Sequence, residues 1–174
     1  MKAFLRNTII LIALIVLDQV LKFFIESKKF FVDLGIVSFH YITNTGASFG
    51  IFQNNNVLLA WVSIIVLGLI MLLADKMKKQ HALPVVLIVA GIIGNLIDRV
   101  FRGFVVDFID FKFWPVFNIA DSVICIGVIW LAIVIIIDDI KDSKKKENKP
   151  IKLKAKKHKK KKVRPSPIES NYNP

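Results

Sequence analysis

The run Val57 to Ala74 holds 18 consecutive uncharged residues, and no other feature limits the fold of this chain as strongly. As a helix it is about 27 Å long at ~1.5 Å per residue, close to a hydrocarbon core of roughly 30 Å. A helix apolar on every side has no face to offer water, whereas in lipid a helix satisfies all of its backbone N–H and C=O groups internally. Three further stretches are predominantly apolar and of similar length: Thr8 to Ile25, Ala82 to Ile97 and Asn118 to Ile137. Hydrophobic residues make up 55% of the chain and its mean hydropathy is +0.57, which places it in the membrane class. The expected fold is an all-α multi-pass membrane protein with four transmembrane helices.

The first stretch, MKAFLRNTIILIALIVL, has the basic start and apolar core of a secretory signal peptide. No small-x-small cleavage site follows, and the chain runs on as DQVLKFF, so the segment is read as the first transmembrane helix. The net charge of +12 suggests a nucleic-acid partner only until its position is checked, because 14 of the 25 Lys and Arg residues lie at or after Lys141. Residues 1–140 therefore form the expected four-helix domain, and residues 141–174 a basic, disordered tail. Attraction to anionic lipid headgroups, ~1 kcal/mol per basic residue at the surface, is the simplest role for the tail, and nucleic acid is an unlikely partner. Lys2 and Arg6 precede the first span, and Lys76, Lys78 and Lys79 separate the second from the third. With four spans these share one side with the tail. The positive-inside rule makes that side cytoplasmic, with both termini inside.

This topology brings polar residues from separate segments to one level at the outer boundary. Asp18 and Lys22 stand at i and i+4, where an ion pair is cheaper in lipid than two separate charges. Asp18 lies seven residues before Ile25, roughly 10 Å below that end. Asn95, Asp98 and Arg99 form one polar face at the end of the third span, which also carries Gly91 and Gly94 as a small-residue face for close helix contact. Asp107 falls in a loop rich in Phe and Val, followed by Phe108, Phe111, Phe113, Trp114 and Phe117, aromatics suited to the headgroup level. Asn118 and Asp121, three apart, open the fourth span in the manner of a capping box. Asn56 is expected to cap the second span. Between the first two spans, IVSFHYIT reads as a strand in a small surface sheet, and NTGASFGIF, with Asn44, Gly46 and Gly50, as a reversal.

Two carboxylates held close cannot both ionise easily, so one keeps a proton while the other acts as base toward a shared water, an arrangement that hydrolyses peptide bonds without a metal. Asp107 and Asp121 are the pair in an apolar setting that fits this chemistry. Cys125, the single cysteine, lies in an apolar run and reads as a packing residue; with His40, His81 and His158 scattered, neither a metal site nor a cofactor is expected. A Ser48/Lys22 hydrolase is conceivable, since a buried lysine can lose its proton, but the spacing gives it no support. The alternative from another class is a small proton-coupled transporter, whose acids would lie near mid-membrane and often between repeats.

The four motifs LDQVLK, NTGASF, GNLIDRVFRGFVVDF and FNIAD, in that order, resemble those of the lipoprotein signal peptidases, or signal peptidase II, over roughly residues 8–137. The resemblance implies an intramembrane aspartic endopeptidase of the bacterial cytoplasmic membrane with a small extracytoplasmic β-structure. It would cut prolipoproteins just before a diacylglyceryl-modified cysteine, and is expected to work as a monomer. It implies Asp107 and Asp121 as the catalytic pair and Asn95, Asp98, Arg99 and Asn118 as the polar groups around them. Asp18, Lys22, Asn44 and Gly46 match positions supporting fold or substrate. Ser48 departs from the alanine common there, and the basic tail exceeds the family core.

Overall fold

A computed structural model describes residues 1–46 and 53–160, with side chains through residue 145. The Ala47–Phe52 part of the NTGASFGIF reversal, including Ser48 and Gly50, lies outside the described residues, as do residues 161–174. The chain divides into two units, residues 1–134 and 135–174. The elements run α1 (Lys2–Lys28), β1 (Phe31–Asp33), β2 (Ser38–Asn44), α2 (Asn56–Leu73), α3 (Ala82–Phe101), β3 (Val105–Asp110) and α4 (Ile119–Lys160). Among the described residues four helices are long and apolar enough to cross a membrane, as expected, and three strands form the small sheet.

The outward faces of these helices are apolar. Trp61, Ile65, Leu69 and Leu72 of α2 are all exposed, as are Ile9, Ile12, Val16 and Val20 of α1. In water so large an apolar surface would drive aggregation; in a bilayer it is the solvated surface. Polar side chains instead occupy the interior: Asp18, Lys22, Asn95, Asp98, Asp107 and Asn118 are buried.

Close approach of α3 and α4 rests on glycine. A Cβ on Gly91 would collide with the Ala120 carbonyl oxygen, and one on Gly94 would lie 2.8 Å from Asp18 Oδ2. The expectation that these two residues serve close helix contact is met, and Gly127 repeats it from α4, where a Cβ would meet the Pro84 carbonyl oxygen at 2.8 Å.

The sheet is antiparallel in the order β1-β2-β3. β2 is the strand expected within IVSFHYIT, whereas β3 lies where the sequence suggested an irregular loop. At the end of α3, Arg102 and Gly103 both donate to the Asp98 carbonyl, and Gly103 takes φ 80°, the left-handed turn that releases the chain from the helix into β3. Pairing with β2 then outweighs the aromatic, loop-like composition. Phe108 is correspondingly buried in the core rather than at a surface level, while Phe113 and Trp114 are exposed.

Two helix boundaries also differ from expectation. Asn56 does not cap α2 through its side chain; its amide donates across to the Arg99 carbonyl at 2.9 Å, tying the start of α2 to the end of α3. The other is the end of α4, whose helical backbone runs past Ile137, the expected end of the fourth span, through Lys160.

Candidate active site

Asp107 sits on β3, opposite Ile42 of β2. Side chains of residues two apart in a strand share a face, so Asn44 is a diagonal neighbour of Asp107. Its amide donates to Asp107 Oδ2 at 2.8 Å, while its own oxygen accepts the Gly46 N–H at 2.9 Å. This turn accounts for the Asn-Thr-Gly sequence: by using up the acceptor end of the amide, it leaves the donor end for Asp107.

Phe117 is pinned to β3 by an isolated bridge, donating to the Ile109 carbonyl and accepting from Phe108 and Ile109. That bridge delivers Asn118 beside Asp107. Asn118 and Asp121 then form the reciprocal cap expected of them: Asp121 N–H donates to Asn118 Oδ1 at 2.9 Å, and Asn118 N–H to Asp121 Oδ2 at 3.2 Å. The cap also does more than end a helix. Asn118 Nδ2 donates to Asp107 Oδ1 at 2.7 Å, so one residue touches both acids. Asn95 Nδ2 supplies Asp121 Oδ1 with a further donor at 2.7 Å.

Asp107 and Asp121 line one cavity of about 200 Å³ with Asn44, Gly46, Asn95 and Arg99. Burial, and then the negative charge of Asp121, push the Asp107 carboxyl up to about 7, against the opposing pull of the Asn44 and Asn118 amides. At neutral pH this acid is poised between its two forms. Arg99 donates weakly to the Gly46 and Asn95 carbonyls, at 3.4 and 3.5 Å, and its buried Nε makes no hydrogen bond among the described residues.

The remaining expected residues gather beneath the cavity. Lys22, fully buried, lies 2.8 Å from Asp18, 2.9 Å from Asp98 and 2.9 Å from Asn95 Oδ1. Ser48, the other half of the Ser48/Lys22 alternative, lies outside the described residues. The sequence reading of Asn95, Asp98 and Arg99 as one face is only partly right, since Asp98 turns toward Lys22 and Arg102 while Arg99 lines the cavity.

Gln19, Glu26 and Arg102 escaped the sequence reading. Gln19 donates to Asp18, Asp98 and the Gly94 carbonyl, and Arg102 bonds Gln19, Asp98 and Glu26. The i, i+4 spacing of Asp98 and Arg102 was the available signal. Cys125 is exposed rather than packed, lining an apolar hollow with Trp114 and Phe117, because its side of α4 faces outward. Ser38, His40 and Asp110 come together on the sheet, yet Ser38 is buried and the His40–Asp110 separation is 3.9 Å, too long for a working triad.

A family model described as signal peptidase (SPase) II matches residues 10–137. A lipoprotein signal peptidase of Caldicellulosiruptor bescii is 41% identical over 135 residues, covering 74% of this chain and 89% of its own. One of Clostridioides difficile is 40% identical over 143 residues, covering 74% and 93%. A solved structure of a bacterial membrane enzyme superposes with a TM-score of 0.72 at 31% identity, covering 77% of this chain and 89% of that one. The fold, the buried polar cluster and these likenesses agree: the chain belongs to the signal peptidase II family of membrane peptidases.

Proposed function

We propose that Asp107 and Asp121 are the catalytic pair of an aspartic endopeptidase that removes signal peptides from bacterial prolipoproteins, cutting before the diacylglyceryl-modified cysteine. The observation that carries this reading is the shared cavity, in which the two carboxyls are joined through Asn118 and Asp107 is held near 7.

In this reading Asp107 carries the proton and Asp121 acts as the base, each carboxyl accepting two donors: the Asn44 and Asn118 amides on Asp107, the Asn95 amide and the Asn118 N–H on Asp121. Asp121 takes a proton from a water as the water oxygen bonds to the scissile carbonyl carbon. Asp107 gives its proton to the carbonyl oxygen, which forms a neutral diol. In the second step Asp121 returns its proton to the leaving nitrogen, Asp107 recovers one from a diol hydroxyl, and the C–N bond breaks. The products are a signal peptide with a new carboxyl terminus and a lipoprotein with a free amino group on its modified cysteine. Arg99, at the cavity wall, is placed to hold a substrate carbonyl with its guanidinium.

The distribution of Lys2, Arg6, Lys76, Lys78, Lys79 and the tail supports cytoplasmic termini and a site at the outer leaflet boundary of the bacterial cytoplasmic membrane. There the acyl chains of the substrate stay in lipid while its scissile bond reaches the acids. Residues 1–140 constitute the peptidase domain of a monomer, and the basic tail rests against anionic headgroups. The test is incubation of the purified protein with lipidated and unlipidated forms of one precursor, with a chelator throughout. Cleavage confined to the lipidated form and indifferent to the chelator is expected. Equal cleavage of both forms, or inhibition by the chelator, refutes the reading.

A further inference from the structure

The geometry assigns Lys22 a part in the reaction, as the residue that positions both aspartates at once; this rests on the proposed pair. Its ammonium lies at the junction of three connections, each ending at or beside one of the acids. Asp18, paired with Lys22 at 2.8 Å through Oδ2, uses Oδ1 to accept the Ala120 N–H at 2.9 Å, one residue before Asp121. Asp98, paired at 2.9 Å through Oδ2, accepts the Val106 N–H with the same oxygen at 3.2 Å, one residue before Asp107. Asn95 accepts Lys22 with Oδ1 at 2.9 Å and donates with Nδ2 to Asp121 at 2.7 Å.

The chemistry of the ammonium makes these connections directional. Lysine only donates, so it fixes the oxygen end of the Asn95 amide toward itself and leaves the nitrogen end for Asp121. Asn118 Nδ2, also bonded to Asn95 Oδ1 at 3.1 Å, enforces the same orientation. Asp18 and Asp98 in turn each accept a backbone N–H, and a single cation facing both carboxyls sets which oxygen of each turns toward it and so which one the backbone N–H meets. Arg102 reaches only Asp98 of the two, and Gln19 carries no charge. Lys22 is therefore the common tie between the strand that bears Asp107 and the helix that bears Asp121. Because it lies beneath the cavity and does not line it, it acts through its neighbours without touching substrate.

The test is Lys22→Met in the full-length, detergent-solubilised protein, assayed on the lipidated precursor, with wild-type turnover as the check on the underlying function. A wild-type protein that fails to cleave would refute the peptidase reading. With an active wild type, Lys22→Met is expected to unfold cooperatively, keep KM within about twofold, and lose kcat by about 30-fold or more, as expected when reacting groups are displaced by a fraction of an ångström. Asp98→Asn breaks one of the same connections, so the double variant should fall no more than about threefold below the poorer single one. A kcat for Lys22→Met within about threefold of wild type, a loss confined to KM, or two losses that simply multiply would each overturn the assignment. Should Lys22→Met fail to fold, Lys22→Gln, which retains a donor for Asn95, replaces it, and the same kcat, KM and double-variant thresholds apply.

Discussion

α2 and α3 are neighbouring spans of similar length, 18 and 20 residues, yet they do opposite things. α2 buries none of its residues, whereas α3 buries Pro84, Ile88, Ala90, Gly91, Gly94, Asn95 and Asp98. The more uniformly apolar helix is thus the one at the periphery, and the helix interrupted by glycine, asparagine and aspartate is the axis of the assembly. Lipid tails are as apolar as leucine, so apolar side chains gain little by leaving lipid for another helix. What draws helices together here is close backbone approach and polar groups that have no partner in hydrocarbon.

The contrast can be broken most severely at the acids that α3 helps to hold. Asp107→Asn or Asp121→Asn should lower cleavage of a lipidated precursor by about 10²- to 10⁴-fold with the protein still folded in detergent, the range of a lost general acid or base. Near-normal turnover by either variant would remove that residue from the pair. Next in size is the axis itself. Gly91→Leu drives a side chain into the Ala120 carbonyl and Ile124, and should cost about 3 kcal/mol or more, read as a sharply reduced thermal midpoint. An unchanged midpoint would mean that α3 and α4 are not packed as described.

A smaller effect probes the poise of Asp107. Asn44 pulls its pKa down, so Asn44→Ala should raise it above the present value of about 7. With Asp107 acting in its protonated form, the alkaline limb of the kcat profile should move to higher pH while kcat falls by about tenfold, in proportion to a lost charge-assisted hydrogen bond. Movement of the acid limb to higher pH, with the alkaline limb in place, would reverse the roles of the two acids. The raised pKa also has a consequence for stability. The folded state holds a proton on Asp107 that the unfolded chain releases near 3.8, so this group's contribution is complete below that pH and disappears as pH rises through about 7. Wild type should therefore lose more stability between pH 5 and pH 8 than Asp107→Asn, as measured by thermal unfolding at both pH values. The smallest effect belongs to α2: Leu69→Val, on an exposed position, should change stability by less than about 0.5 kcal/mol and leave turnover intact.

Much of this was legible in the sequence. Four helices follow from hydrophobic length, and the Asp18–Lys22 pair and the Asn118–Asp121 cap follow from helical spacing, because i, i+3 and i+4 contacts are fixed by one turn of backbone. β3 was not legible. Its sequence, VVDFID, is followed by aromatics and Pro115, and its strand character comes from β2, more than sixty residues earlier. Cys125 and Asn56 were misplaced for a related reason, since whether a helical side chain meets lipid or a neighbouring helix is settled by the neighbour.

By itself, then, the sequence determined that the chain lives in a membrane and where its spans lie, because the free energy of burial in lipid is set residue by residue. Only the tertiary structure decided that Lys22 faces two carboxylates instead of one, that Asp107 rides on a strand, and that Asn118 touches both acids. Those are contacts between segments distant in the chain, and their geometry depends on glycine-limited helix separation and strand register, quantities that no local pattern of residues encodes.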